Sequence, residues 1–418
     1  MKLAILLVLV VGCTKQSEKY CAMHPEDTEN CPTNGEDGGT GCLDNAACVA
    51  IDPAKPVCTG DRECVECTPL EDARCTQGRV CGADNTCGDC TLHAECDSRV
   101  CQTGGRCADP NMVAYVAATG AGSECTLAMP CSDLQVAEQT TRPIIKVSGT
   151  ISHDSVVQFN ERSTTIYADP GASVTRSSQG NIIEVSNDST VLAIFGLRIF
   201  GATSTGGTGN GIVIAGQTNA MLVLERVLID GNYGSGVRAT DGGIVTIRRS
   251  VIANNTGNQG IYLVNGQFDI TNTIIAQNGT TTIGTGGAYL LPQGPSTFEF
   301  NTVADNVSSG GATNYRGITC ANSLSMSNNI IVGNDTSQCE VSYSFFTPGD
   351  RPAGTGNLEG NPMFRTMTMP SSAMFYRIAP RSPAKNAADT NATLSMDIDG
   401  NMRPIDGRSD MGADEVSP

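Results

Sequence analysis

The chain has 418 residues, nineteen cysteines, no tryptophan and a formal charge of −17. That length exceeds what one hydrophobic core usually organises, so two or more structural units are expected. An acidic chain without a Lys/Arg run lacks the basic patch that nucleic acid, or electrostatic docking on anionic lipid, requires; both are excluded as partners.

The first residues bear on the compartment. After Lys2, an apolar run from Leu3 to Val11 ends in Val10-Val11-Gly12-Cys13, too short to span a bilayer. Small or aliphatic residues before a single cysteine resemble the bacterial lipobox. The resemblance implies a signal peptide at 1–12, lipidation of Cys13, and a place in the bacterial cell envelope, at the outer membrane or cell surface, with the lipid as the membrane contact. Residues 13–41, with Cys21 and Cys31 among Glu, Gly and Thr, read as a flexible tether.

Residues 42–107 repeat. Cys42, Cys48, Cys58 and Cys64 form one set; Cys67, Cys75, Cys81 and Cys87 a second; Cys90, Cys96, Cys101 and Cys107 a third, each closing with five residues between its last two cysteines. Modules this poor in apolar residues need covalent staples, and an exported chain favours oxidation over zinc. The spacing leaves the connectivity open. A protease-resistant stalk is the expected role.

From 112 to 365 the composition shifts to Ile, Val, Thr, Asn and Gly. Gly211-Ile212, Gly236-Val237, Gly260-Ile261, Gly287-Ala288 and Gly317-Ile318 start segments at intervals of 25, 24, 27 and 30 residues. The segments end in Asn232, Asn255, Asn278, Asn306 and Asn334. Short strands at a fixed period, with no helical pattern between them, cannot make βαβ units; they make a solenoid of parallel strands, right-handed as parallel crossovers are. The expected fold is all-β, a right-handed parallel β-helix behind a small disulfide-rich repeat region. Alternation points inward Ile212 and Ile214, Val237 and Ala239, Ile261 and Leu263, Ala288 and Leu290, and Ile318 and Cys320. Asparagine suits the turns because it tolerates left-handed backbone and can hydrogen-bond to its counterpart one coil away. Ser132-Asp133 opens a short capping helix to Gln139. Cys125 and Cys131 are close enough to staple that cap, and Cys320 and Cys339 to clamp successive coils. Residues 366–418 read as a carboxy-terminal capping segment.

The stretch Ile166-Tyr167-Ala168-Asp169-Pro170-Gly171-Ala172, followed by the Asn-ended repeats, resembles the pectate-lyase-like β-helix superfamily. Gly360-Asn361-Pro362-Met363-Phe364, Ser382-Pro383-Ala384, Asp397-Ile398-Asp399-Gly400-Asn401 and Asp410-Met411-Gly412-Ala413-Asp414-Glu415 are similar to the end segment of surface β-helix proteins of the choice-of-anchor Q type. The likeness implies the fold over residues 112–418. It does not imply one activity, since that superfamily holds lyases, hydrolases and adhesins.

Chemistry is sought in the columns that stacking creates. The lyases' Trp-x-Asp-His is absent, as is the hydrolases' Gly-His-Gly, because His153 is the one histidine beyond residue 93; His153 is expected on the surface. No catalytic residue and no metal site are assigned. Two residues after the coil-starting glycines, Val213, Arg238, Tyr262, Tyr289 and Thr319 share an outward column, an ordinary β-face or a strip for a sugar. Six residues before the ladder asparagines, Arg226, Arg249 and Asn272 share another, with Glu225 and Arg248 placed to pair in a solvated network or to flank an anionic polysaccharide site. Asp397–Asn401 fails as an EF-hand, since Met402 and Arg408 stand where glycine and glutamate are needed. The leading expectation is a non-catalytic surface lipoprotein binding polysaccharide or another cell-surface component. A polysaccharide lyase or glycosidase on the same scaffold is the second reading, the one in which calcium would enter as cofactor; a purely structural envelope protein is the third.

Overall fold

The computed structural model describes residues 41–71, 74–204, 208–216, 219–282, 285–308, 317–321 and 324–417. Cys13, Cys21, Cys31 and the expected signal and tether up to residue 40 lie outside them. The described residues form two compact units that divide after Asp89.

In the first unit, disulfides join Cys42 to Cys58, Cys48 to Cys64, Cys67 to Cys81 and Cys75 to Cys87. The pairing is first-to-third and second-to-fourth in each module, and a two-residue antiparallel ribbon lies beneath it, Cys58 opposite Cys64 and Cys81 opposite Cys87. A helix Asn45–Ile51 opens the first module, its N-terminus capped by the Asp44 carboxylate accepting from Ala47 N at 2.8 Å.

The second unit begins with the third module, where Cys90 bonds Cys101 and Cys96 bonds Cys107. Val100 and Ala108 of that module pack with Val113, Tyr115, Ile144 and Tyr167 of the first coils. Behind it the chain winds as a right-handed parallel β-helix whose coils each contribute strands to three sheets. The first sheet holds Val157–Asn160, Ile183–Ser186, Ile212–Ala215, Val237–Ala239 and their successors. The second holds Ser163–Ala168, Val191–Phe195, Met221–Glu225 and Ile244–Arg248. The third is ten strands deep, from Thr150–His153 through Arg198–Phe200, Leu228–Asp230 and Val251–Ala253 to Leu358–Glu359. Ile261–Thr271 runs unbroken from the first sheet into the second, bent where Asn265 takes a left-handed backbone.

The expected inward residues are inside: none of Ile212, Ile214, Val237, Ala239, Ile261, Leu263, Ala288, Leu290, Ile318 and Cys320 exceeds 2% exposure. Each large aliphatic among them contributes about 1.5–3 kcal/mol when buried. The segment-ending asparagines form the expected ladder. Asn232 Nδ2 donates to Asn255 Oδ1 at 2.9 Å, Asn255 to Asn278 at 2.9 Å, Asn278 to Asn306 at 3.0 Å and Asn306 to Asn334 at 2.8 Å. Contrary to expectation, these five asparagines are not left-handed. The residue before each one is: Gly231, Asn254, Gln277, Asp305 and Gly333, with φ of 64°, 56°, 57°, 54° and 61°. Asparagine is there for its amide alone. The coil-starting glycines follow from the same ladder, since a Cβ on Gly236 would sit 2.7 Å from Gly260 O and 3.0 Å from Asn255 Nδ2.

The helix Leu134–Gln139 covers the first coil, with Asp133 as N-cap. Cys125 bonds Cys131 beside it, and Cys320 bonds Cys339 across 19 residues. Residues 366–417 run along the flank of the coils. Phe375, Tyr376, Ile378, Ile398, Met411 and Ala413 bury the outer face of the third sheet at Ala253, Ile274, Ala276 and Ile330. Polar contacts fix it: Arg403, fully buried, pairs with Glu415 at 3.0 Å and lies over the Phe300 ring, and Ala413 N donates to Thr302 Oγ1.

His153 is not on the surface. It is 3% exposed, because Thr150–His153 alternates and Ile151 fixes the inward parity. Its Nδ1 lies 3.3 Å from Asp133 Oδ1, and burial pushes its pKa down, with Asp133 opposing.

Candidate functional site

The corner between the second and third sheets is built like the asparagine corner. Its pivot residues take left-handed backbone: Gly196, Arg226, Arg249, Asn272, Phe300, Asn328 and Tyr343. The residue after each pivot turns into the corner, and from Ser250 onward it is polar and bonded along the axis. Val227 N donates to Ser250 Oγ, Thr273 N to Asn301 Oδ1, Asn301 N to Asn329 Oδ1 and Asn329 N to Ser344 Oγ. The interior of the turn is occupied by these small polar groups, so each pivot side chain is free to point out. Arg226 and Arg249 thereby become neighbours one coil apart, with Arg226 N bonded to Arg248 O and Arg249 N to Thr271 O, about 4.8 Å along the axis.

From Phe300 onward the pivots sit beside the carboxy-terminal segment, but Arg226 and Arg249 open into a cleft of about 510 Å³ between the coils and that segment. Leu197, Val227, Leu228 and Val251 line its apolar side, Pro370, Ser371 and Ser372 the facing side, and Arg198, Arg377 and Asp399 join the two arginines. The four guanidinium groups differ in what holds them. Arg198 is gripped by Asp230 through two bonds of 2.7 Å and lies over the Phe200 ring. Arg377 is gripped by Asp399 at 3.0 and 2.7 Å, and its Nη1 is buried without a hydrogen-bond partner. Arg249 has one long contact to Glu225 at 3.4 Å and another to Ile398 O at 3.4 Å. Arg226 is exposed and has no ion pair among the described residues. Of the two arginines on adjacent coils, Arg249 thus has one long contact to a carboxylate and Arg226 none among the described residues, and the cleft wall carries under-compensated positive charge in a chain that is otherwise strongly acidic.

The expected pairing of Glu225 with Arg248 does not form. The two are register partners, but Arg248 turns one coil on to Asp269, Nε to Oδ2 at 3.1 Å, and leaves Glu225 to Arg249. Sequence reasoning found Arg226 and Arg249 because they recur at one register position. It missed Arg198, whose register partners are Ser173 and Leu228, and Arg377 and Asp399, which arrive from more than a hundred residues away. No periodic signal marks them.

The other column lies on the first sheet, away from this corner. Arg238 Cζ stands 4.4 Å over the Tyr262 ring, and Tyr262 and Tyr289 stack at 5.0 Å with planes 8° apart. The facing ring surfaces are occupied by each other and by Arg238, so the strip presents ring edges and hydroxyls outward. Thr319 closes the column beside Thr285 at 3.1 Å. In the tail, the Asp397 carboxylate accepts from Asp399 N and Asn401 N at 2.9 and 2.7 Å, and from Glu415 N at 3.1 Å, tying the two acidic motifs together.

Residues 210–354 match the family described as a right handed beta helix region. Among solved structures the chain is similar to pectate lyase Pel9A, with 14% identity over 73% of this chain and 96% of that one, at a TM-score of 0.40. No curated protein matches the sequence.

Proposed function

We propose that this chain is an exported, lipid-anchored β-helix protein that holds an acidic polysaccharide in the arginine cleft without cleaving it. The observation that carries the reading is the pair Arg226 and Arg249, adjacent on the corner column, under-neutralised, and bordering an apolar surface open to solvent. Guanidinium forks match carboxylate or sulfate geometry, and a flat aliphatic surface suits the C–H face of a sugar ring. At about 510 Å³ the cleft falls in the range of small-molecule sites, so it would grip one or two sugar units of a longer chain. Its single lining acid, Asp399, is tied bidentately to Arg377, so the paired acids of a glycosidase are not supplied there. The lipobox-like Cys13 supports anchoring, and the disulfide-stapled modules support a protease-resistant stalk.

The test uses the soluble chain starting after Cys13, titrated with polygalacturonate or alginate and with a neutral glucan, while unsaturated sugar ends are followed by absorbance. Acidic polymer binds and no unsaturated ends accumulate. Arg226→Gln with Arg249→Gln weakens binding roughly ten- to a hundred-fold, the loss expected from charge-assisted hydrogen bonds. Equal affinity in the double variant removes the cleft from the account, and accumulating unsaturated ends would make the protein a lyase.

A further inference from the structure

The column of pivots that borders the cleft is bare at one end and covered at the other. Gly171, one coil before Gly196, takes the same left-handed backbone, φ 79°. Arg198 N bonds to Ala172 O as Leu228 N bonds to Leu197 O, which places Gly171 in the column. Gly171, Gly196, Arg226 and Arg249 therefore line the cleft over three coil rises, about 14 Å. Both glycines are exposed. A Cβ would meet nothing within 4 Å at Gly171 and only Ala168 O, at 3.7 Å, at Gly196, so the space above them is open.

At the other end the carboxy-terminal segment crosses the column. Asn272, the pivot after Arg249, is buried and donates Nδ2 to Met396 O at 2.7 Å. Two residues on, Ile398 O accepts from Arg249 Nε at 3.4 Å, and a Cβ on Gly400 would stand 2.5 Å from Arg249 Nη2. This cross-piece is fixed in place. Ile398 is buried and its N donates to Ala413 O at 2.9 Å, the Asp397 carboxylate accepts from Asp399 N and Asn401 N, and Arg377 grips Asp399. Pro370, Ser371 and Ser372 close the side, on a hairpin pinned by Tyr376 N to Thr366 O at 2.7 Å and Arg365 N to Arg377 O at 2.8 Å.

We infer that the cleft takes the terminus of an acidic polysaccharide, or a short acidic oligosaccharide, and excludes the interior of a chain; this rests on the reading of the cleft as a site for acidic polysaccharide. A polymer bound through its middle must leave the site at both ends. Here it would have to pass through Ile398–Gly400, whose backbone lies against Arg249. A glycan entering over Gly171 and Gly196 reaches Arg226 first and Arg249 last. The acid of its last unit then lies between two guanidinium groups one coil apart, with Leu197 and Val227 beneath the ring and no room for a further unit beyond.

The experiment titrates the soluble chain starting after Cys13 with trigalacturonate and with long polygalacturonate, both counted as chains. Calorimetry is run at physiological ionic strength, where long-range attraction to the polymer is screened. One protein binds per chain for both ligands, and the two Kd values per chain agree within about three-fold. Many copies loaded on each polymer, with affinity per chain rising with its length, would overturn the inference and leave the acidic-polysaccharide reading intact; binding of neither ligand overturns both. Gly196→Tyr sets a ring in the mouth, at a pivot type that tyrosine already occupies at Tyr343 with φ 44°. With an unchanged melt it weakens both ligands at least about ten-fold, and undiminished affinity in the folded variant also overturns the inference. The count of proteins per chain needs no variant.

Discussion

Replacing Asn255 with alanine removes the middle rung of the ladder, and the loss can be worked bond by bond. The Asn255 side chain donates to Asn278 Oδ1 at 2.9 Å and Ile229 O at 3.2 Å, and accepts from Asn232 N at 3.2 Å and Asn232 Nδ2 at 2.9 Å. At about 0.5–1.5 kcal/mol net per bond, the four together come to about 4 kcal/mol, in a fully buried position that water cannot easily refill. Asn255→Asp should be worse than alanine despite its near-identical shape. It has no donor, so a buried carboxylate would face Asn278 Oδ1 and Ile229 O. Asn254→Gly, one residue earlier, should be neutral or slightly stabilising, because Asn254 is the left-handed pivot with φ 56°. Urea unfolding followed by far-ultraviolet circular dichroism measures all three. The reasoning fails if the alanine variant lies within about 1 kcal/mol of the parent, or if aspartate is tolerated as well as alanine.

Gly236→Ala should destabilise by more than about 2 kcal/mol, because the added Cβ meets Gly260 O and Ile252 Cγ2, both at 2.7 Å; a melt within two degrees of the parent would contradict this. Glu415→Gln leaves the buried Arg403 guanidinium without its charge partner at 3.0 Å and should cost about 3–5 kcal/mol, read as faster proteolysis within residues 366–418 while the coils stay resistant. Burial raises both Asp410 and Asp414 to about 6 from an ordinary 3.8. Stability from a raised carboxyl is fully present below the unfolded value and lost as pH rises through the folded one, so the tail should tighten between pH 7 and pH 5. Hydrogen exchange corrected for intrinsic rates would show it, and loosening over that interval would refute the assignment. Cys320→Ala with Cys339→Ala opens a link spanning 19 residues and should cost about 3 kcal/mol, again by urea unfolding.

The coil was readable because two signals repeat at its period. Gly236 and Asn255 are both forced, one by close backbone approach and the other by its rung, and both recur in each turn. The inward set followed from alternation alone. The burial of His153, contrary to its expected place on the surface, follows from the same alternation, since Ile151 two residues earlier fixes the parity. Arg226 and Arg249 were visible as a column, yet the cleft was not. Its other wall comes from residues 370–399, whose hydrogen bonds to the coils span from 61 to 149 residues and obey no period. Disulfide partners were hidden for a related reason, since spacing gives the loop lengths but not which ends meet, whereas Cys125 and Cys131 lie so close along the chain that proximity sufficed.

The corner that carries Arg226 separates two tasks within consecutive residues. The pivot supplies only a backbone angle, and glycine, arginine, asparagine, phenylalanine and tyrosine all serve there; the residue after it seals the turn. At Arg226 and Arg249, where the carboxy-terminal segment leaves the column open, side-chain identity is therefore nearly uncoupled from foldedness, whereas Asn272, Phe300 and Asn328 are buried beneath that segment. Recognition can be rewritten on this open stretch one coil at a time, leaving the interior stack untouched.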